Sequence, residues 1–490
     1  MLKKILSLVL CGTLALSAVG CGGDSTEKPD GNGGKNGTLK ITYYKGGTGD
    51  EWIETIAKDF EKATGIDVQL TADAKATENA LVTLESNRNL PDLMFILYTN
   101  WCKYVQNDYL APLGDLYNGE FSATYGDTTI TSKYNVTDST LYATDASKGE
   151  KDLTLEDLID NGYLSYGYAS KTAESEKDYW IMPWTSGTTG IVYNVDLLKS
   201  VGYENPPATY EELLDCCNKL SDKGISPFAW GGQEIAYWDF VVQGWWAQYS
   251  GVDKWQNFYQ FESPDVFKDE GRIKALEAFK ELLIDDKGEW KNSISAPMGR
   301  DHMEAAQQFV MGKAAMVPTG SWIETEVGEF VPEGFEMAIM PTPVIEGAKT
   351  DESGKPIQVC NTEAGDFACI PKNADNVEAA KAFLAFMNQP KYVELFTKTT
   401  GMPRPFNYKP STIEGITDFT KSCMSYYEDS VKMWRVSSSP IYYYAGIGLW
   451  EPLGASTVYT NLQSKSPEEV CNMMSQNAEK KWDTWLKMIQ

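Results

Sequence analysis

Apolar and polar residues alternate from Leu39 to Tyr44, as in a half-buried strand, and the period then changes. Trp52, Ile53, Ile56, Ala57 and Phe60 recur at helical spacing until Gly65, and Thr48 with Glu51 three residues on offers a capping box for that helix. Ile66, Val68 and Leu70 open a second strand. A strand, helix and strand in such close succession pack as a right-handed parallel crossover. A further helix is predicted over 76–86, and the continuous apolar run Leu93-Met94-Phe95-Ile96-Leu97 suits a strand covered on both faces. The pattern is that of a doubly wound α/β unit, in which ligands sit beyond the carboxyl ends of the strands. Two loops fall there, Tyr43 to Thr48 and Tyr98 to Trp101.

From about Tyr117 to Tyr179 long apolar patterns give way to Thr, Ser, Asp, Gly and Tyr, with a short helix predicted near Leu155 to Ile159. This reads as an elaboration on the main body. A second α/β unit begins at Gly190-Ile191-Val192-Tyr193-Asn194. Thr209 and Glu212 form another capping box, opening a helix that runs to Lys223-Gly224. Amphipathic helices follow at 273–283, 303–311, 379–387 and 467–488, and no repeat of solenoid period is present.

The front of the chain has a different character. Lys3 and Lys4 precede an apolar run from Ile5 to Val19, which is too short to span a bilayer and reads as a secretory signal over residues 1–20. Val19-Gly20-Cys21 resembles the lipobox of bacterial lipoproteins, with Ala18 where Leu is usual. That resemblance implies a lipidated Cys21 and a body tethered on the outer face of the cell membrane. Residues 21–37 hold no large apolar side chain after Cys21 and read as a flexible tether. No later apolar segment is long enough to span, so a lipid would be the attachment.

The remaining length suffices for two lobes with real cores. The formal charge is −26, and loss of Lys3 and Lys4 with the signal would remove two positive charges, giving −28. Nucleic acid is thereby excluded as a partner, because it needs a basic face. A single histidine, His302, removes His-based zinc sites and Ser-His-Asp catalysis, and its place at the start of a predicted helix suits a surface residue. Cys102, Cys216, Cys217, Cys360, Cys369, Cys423 and Cys471 form no CxxC pair and read as free buried thiols, with Cys360–Cys369 as the nearest plausible bridge. No cofactor is implied. Gly46-Gly47-Thr48-Gly49 lacks the GK[ST] of a phosphate loop and suits a tight strand-to-helix turn equally well.

Five stretches carry a second resemblance: FEKATGIDVQL from Phe60, LPDLMF from Leu90, GIVYNVDLLKSVGYENPPATYEELL from Gly190, GKAAMVPTGSW from Gly312 and AAKAFLAFMNQP from Ala379. In order and spacing they resemble the family 1 extracellular solute-binding proteins of bacterial ABC importers, which include maltose-binding protein. The resemblance implies a two-lobed, type II periplasmic-binding-protein-like α/β fold, each lobe a doubly wound sheet flanked by helices. It implies a cleft that closes on a carbohydrate, a membrane permease as partner, no catalysis, and a monomer. The expected first lobe combines residues 38–116 with 357–409, the second 181–356 with 410–490, and 117–180 is an insert near the first crossing.

A sugar pocket needs flat aromatic faces and side chains that donate and accept hydrogen bonds. The resemblance sets Trp322 and Trp450 at wall positions, and Trp238, flanked by Tyr237 and Asp239, at a third. Trp238, Val241, Trp245 and Tyr249 also recur at helical spacing, so Trp245 and Tyr249 read as core and Trp238 could serve either role. The polar candidates are Lys45, Thr48, Asn100, Glu363, Asp366 and Arg404, and Tyr44, Trp101, Trp184 and Trp434 complete the set. Two other readings remain open at this point: a secreted glycoside hydrolase built on a carboxylate pair, and a receptor for a peptide, polyamine or other solute.

Overall fold

A computed structural model describes residues 37–97, 99–136, 152–171, 175–364, 366–434 and 453–488. Cys21, the signal, most of the tether and Trp450 lie outside the described residues.

The first sheet runs in the order Met182–Pro183, Phe367–Cys369, Leu93–Ile96, Thr38–Tyr44, Asp67–Asp73. Its three long strands are parallel, with Thr38–Tyr44 flanked by the other two, as the crossover pattern requires. The order therefore reverses beside Thr38–Tyr44, which puts a ligand crevice beyond Tyr44 and Ile96. The helix Glu51–Thr64 buries Trp52, Ile53, Ile56, Ala57 and Phe60, the predicted stripe. Its N-cap is Asp50 and not Thr48, so the expected capping box does not form. Asp50 instead takes the Tyr43 hydroxyl at 3.1 Å and the Lys45 ammonium at 2.5 Å.

The second sheet runs Ser226–Phe228, Ala314–Gly320, Ser186–Asn194, Val359–Ala364, Val431–Trp434, with Met337–Met340 also paired to Ser186–Asn194. The Thr209 capping box does form, Glu212 N donating to Thr209 Oγ1 at 3.2 Å and Thr209 N to Glu212 Oε2 at 3.3 Å.

The lobes are joined where one ladder runs through both sheets. Pro183 pairs with Phe367 in the first, and Ser186 with Ala364 in the second. The chain crosses between 183 and 186 and returns between 364 and 367. The expected boundaries at 181 and 357 therefore shift, because Val359–Ala364 finds its partners in the second sheet. A third crossing lies between the helices Pro390–Thr400 and Asp418–Asp429, and is tied to the first by Ser186 N donating to Pro403 O at 2.9 Å.

The 117–180 insert is built largely on the first lobe. Its hairpin, Ser122–Tyr125 with Thr128–Thr131, packs on the first-lobe helix Val377–Met387. The seven cysteines are buried and unbridged.

Candidate functional site

Two walls face each other across the crevice. On the second lobe the strand Ala314–Gly320 ends just before Trp322, which caps the short helix Ile323–Val327. The half-buried indole lies over Gly320, where any Cβ would overlap its six-membered ring. Edge-on contacts fix it: Phe240 at 5.6 Å and 72°, and Tyr237 at 6.4 Å and 67°. Tyr237 in turn packs beside Phe240 at 5.2 Å and His302 at 5.5 Å.

On the first lobe, Tyr44 ends its strand half-buried and leads into Gly46-Gly47-Thr48-Gly49, a turn closed by Gly49 N to Gly46 O at 3.1 Å. This turn meets the second lobe. A Cβ at Gly47 would stand 3.2 Å from Trp322 Cβ and 3.3 Å from Glu326 Oε1, so glycine allows the close approach. The Thr48 hydroxyl oxygen is buried with no hydrogen-bond partner.

Tyr44 lies in an acidic field. Burial, then the charges of Asp366, Glu78 and Glu326, raise its phenol pKa. Burial likewise raises the carboxyl of Glu326, while His302 pulls it down. Asp366 is half-buried at the return crossing, beside both sheets. Tyr44, Thr48, Tyr237, Trp322 and Asp366 are thus gathered around one crevice.

The other candidates fall elsewhere. Trp184 is buried in the first-lobe core, stacked on Trp52 at 5.2 Å and 19° and edge-on to Phe95 and Phe396. Trp238 is fully buried among Phe228, Trp230 and Phe279, which decides its two readings in favour of core. Asp239 is buried and accepts from the Tyr459 hydroxyl. Trp101 is buried against Tyr166 at 5.8 Å. Arg404 is buried between Phe396 and Phe406, and donates to Asn388 Oδ1 at 2.5 Å. These packing roles leave no free side-chain face for a ligand.

Asn100 caps the helix Trp101–Gln106, its Oδ1 accepting from Lys103 N at 3.3 Å. Lys45 is exposed and ion-paired to Asp50. Trp434 is buried, and its indole meets the insert at Asp160. Glu363 pairs through its backbone with Gly187, which puts it on the second sheet and not the first.

Sequence reasoning missed Glu326, Phe240 and His302 as neighbours of the crevice. Glu326 was legible, since it follows Trp322 at i+4 and so shares its helical face. His302 opens its helix as expected, but it also faces Glu234, with Nδ1 at 3.6 Å from Oε2. Among the described residues no cluster of three or more His, Cys, Asp or Glu could hold a metal, and no helix is long and apolar enough to cross a membrane.

Comparison with known proteins agrees with this architecture. Residues 45–394 match the family model described as bacterial extracellular solute-binding protein. The diacetylchitobiose binding protein DasA of Streptomyces coelicolor is 29% identical over 353 residues, 71% of this chain and 68% of DasA. The diacetylchitobiose binding protein NgcE of the same organism is 24% identical over 222 residues, 44% of each chain, so the match spans less than half of that relative. A solved chitin oligosaccharide binding protein superposes with a TM-score of 0.62 at 17% identity, over 92% of this chain and 99% of its own, and so shares the two-lobed fold.

Proposed function

The chain belongs to the bacterial extracellular solute-binding protein family, and from that premise we propose that it captures a carbohydrate, most simply an oligosaccharide, between its lobes for delivery to an ABC permease. The observation that carries the reading is the half-buried Trp322 indole, laid over Gly320 and wedged by Phe240 and Tyr237, opposite the Tyr44–Gly49 turn of the other lobe. A rigid aromatic platform facing polar side chains is what a sugar ring needs, since its C–H face stacks while its hydroxyls seek partners. Relatives named for diacetylchitobiose binding support the same class of ligand.

In this reading Trp322 and Tyr237 supply flat surface, and Tyr44, Thr48 and Asp366 supply hydrogen bonds from the facing lobe. Trp450 and Glu363 complete the proposed contact set. The family consists of binding proteins, which favours a receptor over a hydrolase. Cys21 would carry the lipid that holds a monomeric receptor near its permease, with 21–37 as the leash.

Calorimetry across a panel of neutral oligosaccharides tests the proposal. Binding that Trp322→Ala weakens, with no new reducing ends on incubation, is the expected result. No affinity for any glycan would overturn it. Mass analysis of the mature N-terminus checks the anchor, and a terminus other than lipidated Cys21 would remove it.

A further inference from the structure

We propose that Glu326 is a specificity-determining residue of the cleft, which accepts hydrogen bonds from hydroxyl, amide or ammonium donors of a sugar beside Trp322 and turns away glycans bearing carboxylate groups. The inference rests on the carbohydrate reading above and names the chemistry that this site selects.

Glu326 follows Trp322 by one helical turn, and its N–H donates to Trp322 O at 3.0 Å. The two side chains therefore share a face. That face points at the other lobe: Trp322 Cβ and Glu326 Oε1 lie 3.2 and 3.3 Å from where a Gly47 Cβ would be. The carboxylate thus sits where the lobes meet, beside the stacking ring, and close enough to act electrostatically on Tyr44 and to feel His302. An acceptor so placed fixes the orientation of a stacked sugar through its donor groups.

The sign of the field adds the exclusion. Glu326, Asp366 and Glu78 all act on the Tyr44 phenol, and all three are acidic. Of the basic side chains nearby, Lys45 is ion-paired with Asp50, and His302 Nδ1 lies 3.6 Å from Glu234 Oε2. Closure around a ligand removes water and strengthens these charges, so a carboxylate brought in by the sugar is repelled while an ammonium is attracted.

The test is calorimetry at pH 7 with three tetrasaccharides, chitotetraose, its fully deacetylated form and tetragalacturonate, against the wild type and Glu326→Gln. The variant keeps the size of the side chain, and its melting temperature and circular dichroism establish that it folds. The wild type is expected to bind chitotetraose or the deacetylated form at least 100-fold more tightly than the uronate. Glu326→Gln should narrow that ratio by about tenfold and weaken the deacetylated ligand most. Equal affinity of the wild type for the uronate, or discrimination unchanged in Glu326→Gln, would overturn the role of Glu326 while leaving the carbohydrate reading intact. If no glycan of any charge binds the wild type, the carbohydrate reading fails and this inference falls with it.

Discussion

The indole N–H of Trp434 donates to Asp160 Oδ1 at 2.9 Å, joining the last strand of the second sheet to the insert built on the first lobe. Other bonds converge there. Asp160 N donates to Pro405 O at 3.0 Å, and Asn407 N to Leu158 O at 2.7 Å, so the insert is also sewn to the third crossing. Tyr163 packs beside the Trp434 ring at 4.9 Å. The segment that read as an elaboration near the first crossing therefore braces the lobe junction from the side of the third.

Asp160 also caps its own short helix, accepting from Gly162 N at 2.9 Å. Asp160→Ala removes the one oxygen, Oδ1, that accepts both bonds and leaves the indole N–H of a buried tryptophan unpaired, which should cost about 1–3 kcal/mol of stability. Asp160→Asn, which keeps an acceptor oxygen, should recover most of that loss. Urea titration of the three proteins checks the order, and an alanine variant as stable as the wild type would refute the brace.

The approach of Gly47 to Trp322 and Glu326 gives a second prediction. A valine at 47 would have to displace one of them or hold the lobes apart. If the approach belongs to the ligand-binding form, Gly47→Val lowers apparent affinity about tenfold by depopulating that form, while the separate cores keep their stability. Calorimetry with the best glycan, paired with small-angle scattering of the liganded protein, should show weaker binding and a larger radius of gyration. Unchanged affinity would mean that the two surfaces are not needed together.

The fold was more legible in the sequence than the site. The stripe from Trp52 to Phe60, the apolar run from Leu93 and the Thr209 box are local signals, and each formed the predicted element. Thr48 failed as a cap because Gly49 takes a left-handed φ of 62° and closes a turn back to Gly46 O, so the helix starts two residues later, after Asp50. The boundary at 357 failed because strand pairing is a long-range choice: Val359–Ala364 joins the second sheet by pairing with Ser186–Thr189 on one side and Val431–Trp434 on the other. Trp184 and Trp322 both lie near strand ends and look alike in sequence. One meets Trp52 from a neighbouring helix and is sealed; the other rests on Gly320 and remains half-buried.

That contrast can be measured. Trp322→Ala removes a stacking surface at the cleft and should weaken glycan binding by about 10- to 100-fold, equivalent to roughly 1.5–3 kcal/mol. Trp184→Ala opens a cavity in an aromatic core and should cost about 3–5 kcal/mol of stability. Denaturation and calorimetry on both variants separate the roles. Were Trp184→Ala to lose affinity with its stability intact, the assignment of that residue to the core would be wrong.

Glu326 ties stability to pH, and the sign follows from the direction of its shift. Burial raises its pKa in the folded protein above the ordinary glutamate value, so between those two values the folded state holds more protons than the unfolded one. Stability attributable to this group therefore falls as pH rises through that window, and at neutral pH the ionised carboxylate is a net cost. Glu326→Gln removes the titration while keeping the shape. Without ligand, the variant should melt above the wild type at pH 7, and the difference should vanish as pH drops below the ordinary glutamate value. Scanning calorimetry from pH 4 to 8 reads both melting temperatures. A wild type that melts above Glu326→Gln at pH 7 would show that the carboxylate is stabilised where it sits, by partners strong enough to outweigh its burial.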